Sequence, residues 1–226
     1  MTNIGIIHPE EGYLEKVQEL AKKYGTLLII DETHTISAGI GGCTKEYKLK
    51  PDMLTIGKAI GCGFPTAVYG FSEEVGKRLK GLIDKDGCDV GGIGGTLAGN
   101  ALSLVALKST MEHLLTEKNF KHTIRLAEKF NEGVEESIKK RKLPWIVKRL
   151  GCRTEYWFAK KAPKNGGEAH ETHDNELDYY MHLYSLNRGI LMTPFHNMAL
   201  ICPYHSEKDV QHHTKVFDDA VKLILK

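Results

Sequence analysis

Three short stretches of this chain carry residue types that could do chemistry at a useful spacing. The first is Leu28-Ile29-Ile30-Asp31-Glu32, an apolar run closed by an acidic pair. A continuous apolar run suits a strand buried on both faces, and open α/β sheets bind their ligands in the crevice beyond the carboxyl ends of such strands. Taken alone, the Asp reads equally well as a solvated strand end. The second is Lys58, which follows the apolar run Met53-Leu54-Thr55-Ile56 and has Gly57 before it and Gly61 and Gly63 after it. Glycines there allow a ligand to approach the backbone closely. A lysine held in a desolvated crevice loses pKa and can attack a carbonyl as the neutral amine, forming a Schiff base. By itself it reads as a surface lysine at a turn. The third is Gly91-Gly92-Ile93-Gly94-Gly95-Thr96, a loop ahead of a helical pattern that can present backbone N–H groups and the Thr96 hydroxyl to an anion such as phosphate.

Together, a carboxylate, an amine and a phosphate-type loop suit a cofactor with a basic ring nitrogen, an aldehyde and a phosphate. Pyridoxal phosphate (PLP) has all three. A competing reading takes Asp31-Glu32-Thr33-His34 as the DExH box of a nucleic-acid motor, which requires a P-loop. Gly57-Lys58 is followed by Ala59 and has Asp52 where the first P-loop glycine belongs, so that reading is set aside. Elsewhere, Arg153, Arg188 and His196 are expected to be solvated or to bridge domains, and Cys62 to be a small buried apolar residue. His170 and His173 lack the helical spacing that zinc needs, and His212 and His213 cannot share one helix face, so no metal site is expected.

Alternating elements position these residues. A helical pattern over 12–24 ends at Gly25, and strands follow at 26–30, 53–56 and 67–71, which implies an α/β layer with a parallel sheet. Helices are expected over 99–115 and 120–140. The pattern then changes to strands near 145–147 and 155–158, a polar linker over 163–175, a helix at 177–187, and strands near 190 and 198–201. A last helix is opened by Ser206 with Asp209 three residues on, as in a capping box. The expected division is 1–116 and 117–226, the second part a smaller α+β unit.

The 226 residues are 41% hydrophobic and 27% charged, which suits a folded globular chain and excludes disorder or a collagen-like rod. Lys plus Arg (31) nearly balance Asp plus Glu (29), a net charge of +2 that offers no field for a phosphate backbone, so nucleic acid is not an expected partner. Five cysteines without a CxxC pair argue for a reducing compartment, and no apolar run approaches the roughly 18 residues of a membrane span. A cytoplasmic protein is expected.

Residues 27–35 (LLIIDETHT), 51–70 (PDMLTIGKAIGCGFPTAVYG) and 94–100 (GGTLAGN) resemble three successive motifs of the class III aminotransferases of PLP fold type I. Within that family the likeness is to glutamate-1-semialdehyde aminomutases and β-amino-acid transaminases, and 186–194 (LNRGILMTP) extends it. The resemblance implies part of the large-domain sheet plus a small α+β domain, PLP as cofactor, small-molecule amino donors and carbonyl acceptors, and a homodimer with shared active sites. It places Asp31 at the pyridine nitrogen, Lys58 as the catalytic lysine bonded to the cofactor, and Thr96 at the phosphate held by the neighbouring subunit, with Thr33, His34 and Gly95 in the cofactor motifs. It spans this whole chain but only about the C-terminal half of a family member. The family's phosphate loop, its ring-stacking aromatic and the semialdehyde branch's carboxylate-binding Arg belong to the other half. Residues 198–203 (MALICP) carry no Arg where many class III transaminases have one, which favours the aminomutase-like or β-amino-acid branch. Weak activity at best is expected of this half alone; a non-catalytic dimerisation or interaction module is the alternative, and an incomplete sequence a third reading.

Overall fold

The computed structural model describes residues 1–86, 94–193 and 196–225. Gly91, Gly92, Ile93 and Pro194 of the motifs above lie outside these residues, as does Cys88, one of the five cysteines. The chain divides into two compact units, one of Glu11–Ile36 and Ile40–Thr116, the other of Met1–Glu10, Ser37–Gly39 and Glu117–Lys226.

The first unit opens with helix α1 (Tyr13–Tyr24), which Gly25 ends in the left-handed region by donating its N–H to the carbonyls of Ala21 and Lys22. Glu15 in its first turn and Lys22 and Lys23 in its last suit the helix dipole. Strand β1 (Ile29–Asp31) pairs in parallel with β2 (Met53–Ile56), and β3 (Val68–Phe71) runs antiparallel to β2. The sheet is therefore mixed, where the apolar runs suggested a parallel one. β1 stands at one end of the strand order, and Ile29 is 56% exposed, so the expected strand buried on both faces is not what forms. An apolar run records what a strand can bury, whereas cover depends on neighbours that local sequence does not name.

Four further elements were not legible. The glycine-rich stretch after β1 contains a 3₁₀ turn (Thr35–Ala38) and the short helix α2 (Gly42–Glu46), and Lys58–Gly61 forms a second 3₁₀ turn. Helix α3 (Glu73–Asp86) has little apolar signal and carries exposed i, i+4 pairs, Lys77 with Glu73 and Arg78 with Glu74. Helix α4 (Ala101–His113) forms as expected, capped by Asn100, whose side-chain oxygen accepts the Ser103 N–H at 3.0 Å.

The second unit is built on α5 (Glu117–Arg141), whose inward stripe is Leu126, Ala127, Phe130, Val134 and Ile138. It packs against α8 (Glu207–Ile224) through Val210, Phe217, Ala220 and Val221. The Asp209 carboxylate accepts the backbone N–H of Ser206, as the capping motif predicts, and also its hydroxyl. Ile224, expected in the apolar stripe, is 41% exposed at the end of the helix. Strands β4 (Ile146–Leu150), β5 (Arg153–Trp157) and β6 (Met198–Leu200) form an antiparallel sheet with β5 central and wholly buried. The expected polar linker holds helix α6 (Gly166–His170), capped by Asn165, and α7 (Asn175–Leu186) follows with Asp174 as its cap. No strand forms near Ile190, which instead ends the turn after α7 with its N–H on the Ser185 carbonyl. The first residues of the chain join this unit: the Ile6 N–H donates to Glu155 at 3.0 Å, Arg153 donates to the Thr2 carbonyl at 2.8 Å, and Ile6 and Ile7 are buried.

Candidate active site

Parallel pairing of β1 and β2 brings two carboxyl ends to one edge of the sheet. Asp31 lies opposite Thr55, and Lys58 stands three residues beyond Thr55. The Asp31 carboxylate is exposed and accepts the Thr33 N–H at 2.8 Å. Hydrogen bonds from Thr33 hold its carboxyl below the usual range, helped by Thr55 and the Lys58 charge and opposed by slight desolvation. The Thr33 hydroxyl in turn accepts the Gly57 N–H at 3.1 Å, strapping the exit of β1 to the residue before Lys58.

Lys58 has φ 49°, in the left-handed region that costs a residue with a Cβ on the order of 1 kcal/mol. Strain of this kind at a strand end is frequent where function demands a particular side-chain direction. The turn that Lys58 opens packs against α4, and Ser103 at the start of that helix donates to the Pro65 carbonyl at 3.3 Å. The Lys58 side chain is exposed, not held in the desolvated crevice that its flanking glycines suggested.

Asp31, Thr33 and Lys58 are thus brought together. His34 follows Thr33 and is half-buried. Gly95 and Thr96 lie in an exposed turn closed by the Ala98 N–H on the Gly95 carbonyl and leading into α4; among the described residues no hydrogen bond ties them to Asp31 or Lys58.

Glu32 was missed as a residue distinct from Asp31. It is 1% exposed, and its carboxylate accepts from the Thr35 and Thr44 hydroxyls at 2.5 Å each, from the Cys43 N–H at 3.1 Å and from the Thr44 N–H. It fastens the end of β1 to the start of α2. A Cβ on Gly42 would fall on that carboxylate. Burial, then the Glu32 charge, pushes the Cys43 thiol up to about 11, so this pocket is inert as well as closed. The signal was the strand period of two, which sends neighbouring side chains to opposite faces.

Several other expectations are corrected. Cys62 is exposed because it terminates the Lys58 turn, at φ 47°, and does not pack inside. Arg153 is buried, since β5 lies between two strands, and its charge is met by Glu155 at 3.5 Å and the Thr2 carbonyl. Arg188, by contrast, is exposed as a solvated residue should be, and it stacks on Tyr184, 3.4 Å from the ring centroid. His196 is largely buried beside Glu155, at 3.5 Å. Among the described residues no three His, Cys, Asp or Glu side chains are grouped to hold a metal ion, and no helix is long and apolar enough to cross a membrane.

The family model described as Aminotransferase class-III matches residues 1–221. The chain belongs to the class III aminotransferase family. Among curated relatives, the glutamate-1-semialdehyde 2,1-aminomutase 2 of Brevibacillus brevis is 29% identical over 99% of this chain and 51% of its own length. A glutamate-1-semialdehyde 2,1-aminomutase of Thermomicrobium roseum is 30% identical over 92% of this chain and 47% of its own. Among solved structures, a glutamate-1-semialdehyde-aminomutase of Pseudomonas aeruginosa superposes with a TM-score of 0.94 at 42% identity, covering 98% of this chain and 50% of that one. A variant of that organism's aminomutase in complex with PMP matches equally well, at 41% identity. An omega-transaminase of Sphaerobacter thermophilus, 24% identical with a TM-score of 0.83 over 97% of this chain and 49% of its own, shares the fold. The aminotransferase fold expected from the resemblance is the fold of these structures. The chain spans about half the length of the relatives it matches.

Proposed function

We propose that this class III aminotransferase chain contributes the lysine and the ring-nitrogen carboxylate of a PLP-dependent enzyme that moves an amino group between an amino acid or amine and a carbonyl compound, as a transaminase or an aminomutase. The observation that carries the proposal is that the parallel strands β1 and β2 end together, with Asp31 opposite Thr55 and Lys58 three residues beyond Thr55, where its charge adds slightly to the Thr33 hydrogen bonds that hold the Asp31 carboxyl anionic. The donor set fits the cofactor: an anionic carboxylate for a protonated ring nitrogen, a primary amine for an aldehyde, and an exposed hydroxyl in a glycine turn for a phosphate. Bound PLP supplies the aldehyde and an electron-withdrawing ring. With the cofactor bound, Asp31 would hold a proton on the ring nitrogen, Lys58 would be the amine that condenses with the aldehyde with loss of water and that holds or returns the proton at the substrate carbon, and Thr96 with Gly95 would offer a hydroxyl and a backbone N–H to the phosphate of the neighbouring subunit's cofactor. Thr33, bonded to the Asp31 carboxylate, and the adjacent His34 would complete the Asp31 end of the cofactor site.

In this reading residues 1–116 belong to the large domain and 117–226 form the interdomain helix and small domain, and the protein acts in the cytoplasm as a homodimer with shared sites. The test is the visible spectrum of the purified protein with added PLP, then borohydride reduction and peptide mapping. A yellow species reduced onto Lys58 is expected; an adduct on another lysine, with Lys58 unmodified, overturns the assignment.

A second reading, a non-catalytic module that pairs with another polypeptide, is favoured by one observation. Leu97, Leu102 and Val105 around α4 are 80%, 63% and 66% exposed, and Ile29 of β1 adds to the uncovered apolar surface. Light scattering on a size-exclusion column separates the readings when combined with the spectrum: a dimer without any adduct supports the module alone.

A further inference from the structure

We infer that Gly42 and the buried carboxylate of Glu32 are positioning residues for Asp31. The inference rests on the reading of Asp31 as the partner of the cofactor's ring nitrogen, and every residue it uses lies in the unit of Glu11–Ile36 and Ile40–Thr116. Asp31 and Glu32 leave β1 toward opposite faces. The Asp31 carboxylate is exposed and takes its direction from the Thr33 N–H, at 2.8 Å. Thr33 is in turn placed by Glu32, the residue before it. The Glu32 N–H donates to the Thr55 carbonyl at 2.8 Å, and the Glu32 carbonyl accepts the Ile36 N–H at 2.9 Å. Its carboxylate is held by the Thr35 and Thr44 hydroxyls at 2.5 Å each, by the Cys43 N–H at 3.1 Å and by the Thr44 N–H. The Thr35 hydroxyl that donates to this carboxylate lies 3.4 Å from the Asp31 carbonyl, so the cradle of Glu32 reaches the Asp31 backbone directly.

Gly42 makes room for that cradle. It is buried, at φ 59°, and a Cβ there would stand 2.6 Å from the Glu32 Cδ and 2.9 Å from its Oε1, and would overlap its Oε2. A solvated carboxylate would swing aside. This one is 1% exposed, and three of its four donors belong to Cys43 and Thr44, the two residues that follow Gly42. An added methyl group must therefore drive the Glu32 side chain off the backbone that binds it, or carry the first turn of α2 away with its donors. In both cases the Thr35 hydroxyl loses its acceptor, and the turn that presents the Thr33 N–H to Asp31 loosens.

Gly25 supplies the control. It lies in the same unit at φ 63°, and a Cβ there meets nothing within 4 Å. Gly42→Ala and Gly25→Ala therefore share the cost of a left-handed alanine, and Gly42→Ala alone strikes Glu32. The Thr33 and Ile36 amides are expected to exchange about tenfold faster in Gly42→Ala and at the wild-type rate in Gly25→Ala. The Asp31 carboxyl, followed by carbon NMR across pH, is expected to titrate higher in Gly42→Ala and as wild type in Gly25→Ala. Hydrogen bonds from Thr33 are the chief cause of its lowered pKa, while the smaller contributions of Thr55 and the Lys58 charge do not pass through Glu32. Faster exchange confined to Cys43 and Thr44, with Thr33 and the Asp31 titration unmoved, overturns the inference, because the cradle then fastens α2 and nothing more. Should Gly42→Ala fail to fold, Thr44→Val decides, since it removes one donor from Glu32 and keeps the shape of the side chain: a raised Asp31 titration supports the linkage, and an unmoved one refutes it. With PLP added, Gly42→Ala is expected to remain reducible at Lys58 while the pH at which its visible band changes colour moves relative to wild type; an unmoved band refutes the positioning of Asp31. Absence of any adduct in wild type defeats the PLP reading instead, and the exchange rates and the titration then decide the hold of Glu32 on Asp31 by themselves.

Discussion

Asp31 and Glu32 are neighbours with opposite duties, and substitutions should separate them. The Asp31 carboxylate is exposed, so Asp31→Asn is expected to change unfolding free energy by no more than about 0.5 kcal/mol while weakening PLP retention. Glu32 is buried with four donors on its carboxylate. Glu32→Gln keeps the shape but places an amide NH₂ against donors, and should cost about 1–3 kcal/mol in urea unfolding. Equal losses for the two variants would contradict this division. Lys58→Ala is expected to keep the native fold by circular dichroism, because the side chain is exposed, and to abolish the borohydride-trapped adduct. The acidic pair was legible in the sequence, but which member faces the sheet edge depended on the pleat and on α2, an element hidden in a glycine-rich stretch.

At the scale of elements, α4 matters as the support for the Lys58 turn. Its cap, Asn100, bonds the Ser103 N–H and the Leu97 carbonyl, and Ser103 reaches the Pro65 carbonyl. Asn100→Ala should cost about 1 kcal/mol and speed amide exchange over 101–104, while Asn100→Asp should retain most of the stability because a carboxylate also caps. Loss of similar size in both variants would show that the cap is not what holds the helix. The long helices α5 and α8 were legible because each has an apolar stripe of three- and four-residue spacing and α8 has its capping pair. α3 was not, because its stability comes from exposed charge pairs and tertiary contact, which leave little hydrophobic period.

At the scale of the whole molecule, acid sensitivity should trace to one buried group. His213 lies in the α5–α8 interface, stacked on Phe130 at 4.1 Å between ring centroids, and burial pushes its pKa down to about 3. The folded state therefore keeps this imidazole neutral, while the unfolded chain protonates it near the ordinary 6.5. Below that value the unfolded state binds the extra proton, so stability falls with decreasing pH between about 6.5 and 3, by at most about 1.4 kcal/mol per pH unit from this group. His213→Phe should flatten the urea midpoint over that window; an unchanged slope would place the acid sensitivity elsewhere.

The sequence by itself determined the family and the order of most elements, and it singled out Asp31 and Lys58 as the residues proposed for the ring nitrogen and the aldehyde, because those depend on residue type and short spacing. Only the tertiary structure decided that β1 and β2 present Asp31 and Lys58 at one edge with Thr33 strapped between them, and that Glu32 is a buried fastener. It alone showed that residues 1–10 dock on β5 and that Gly42 closes on Glu32. Each of these joins residues far apart in the chain or turns on which face a side chain takes, and neither hydropathy nor local propensity encodes that.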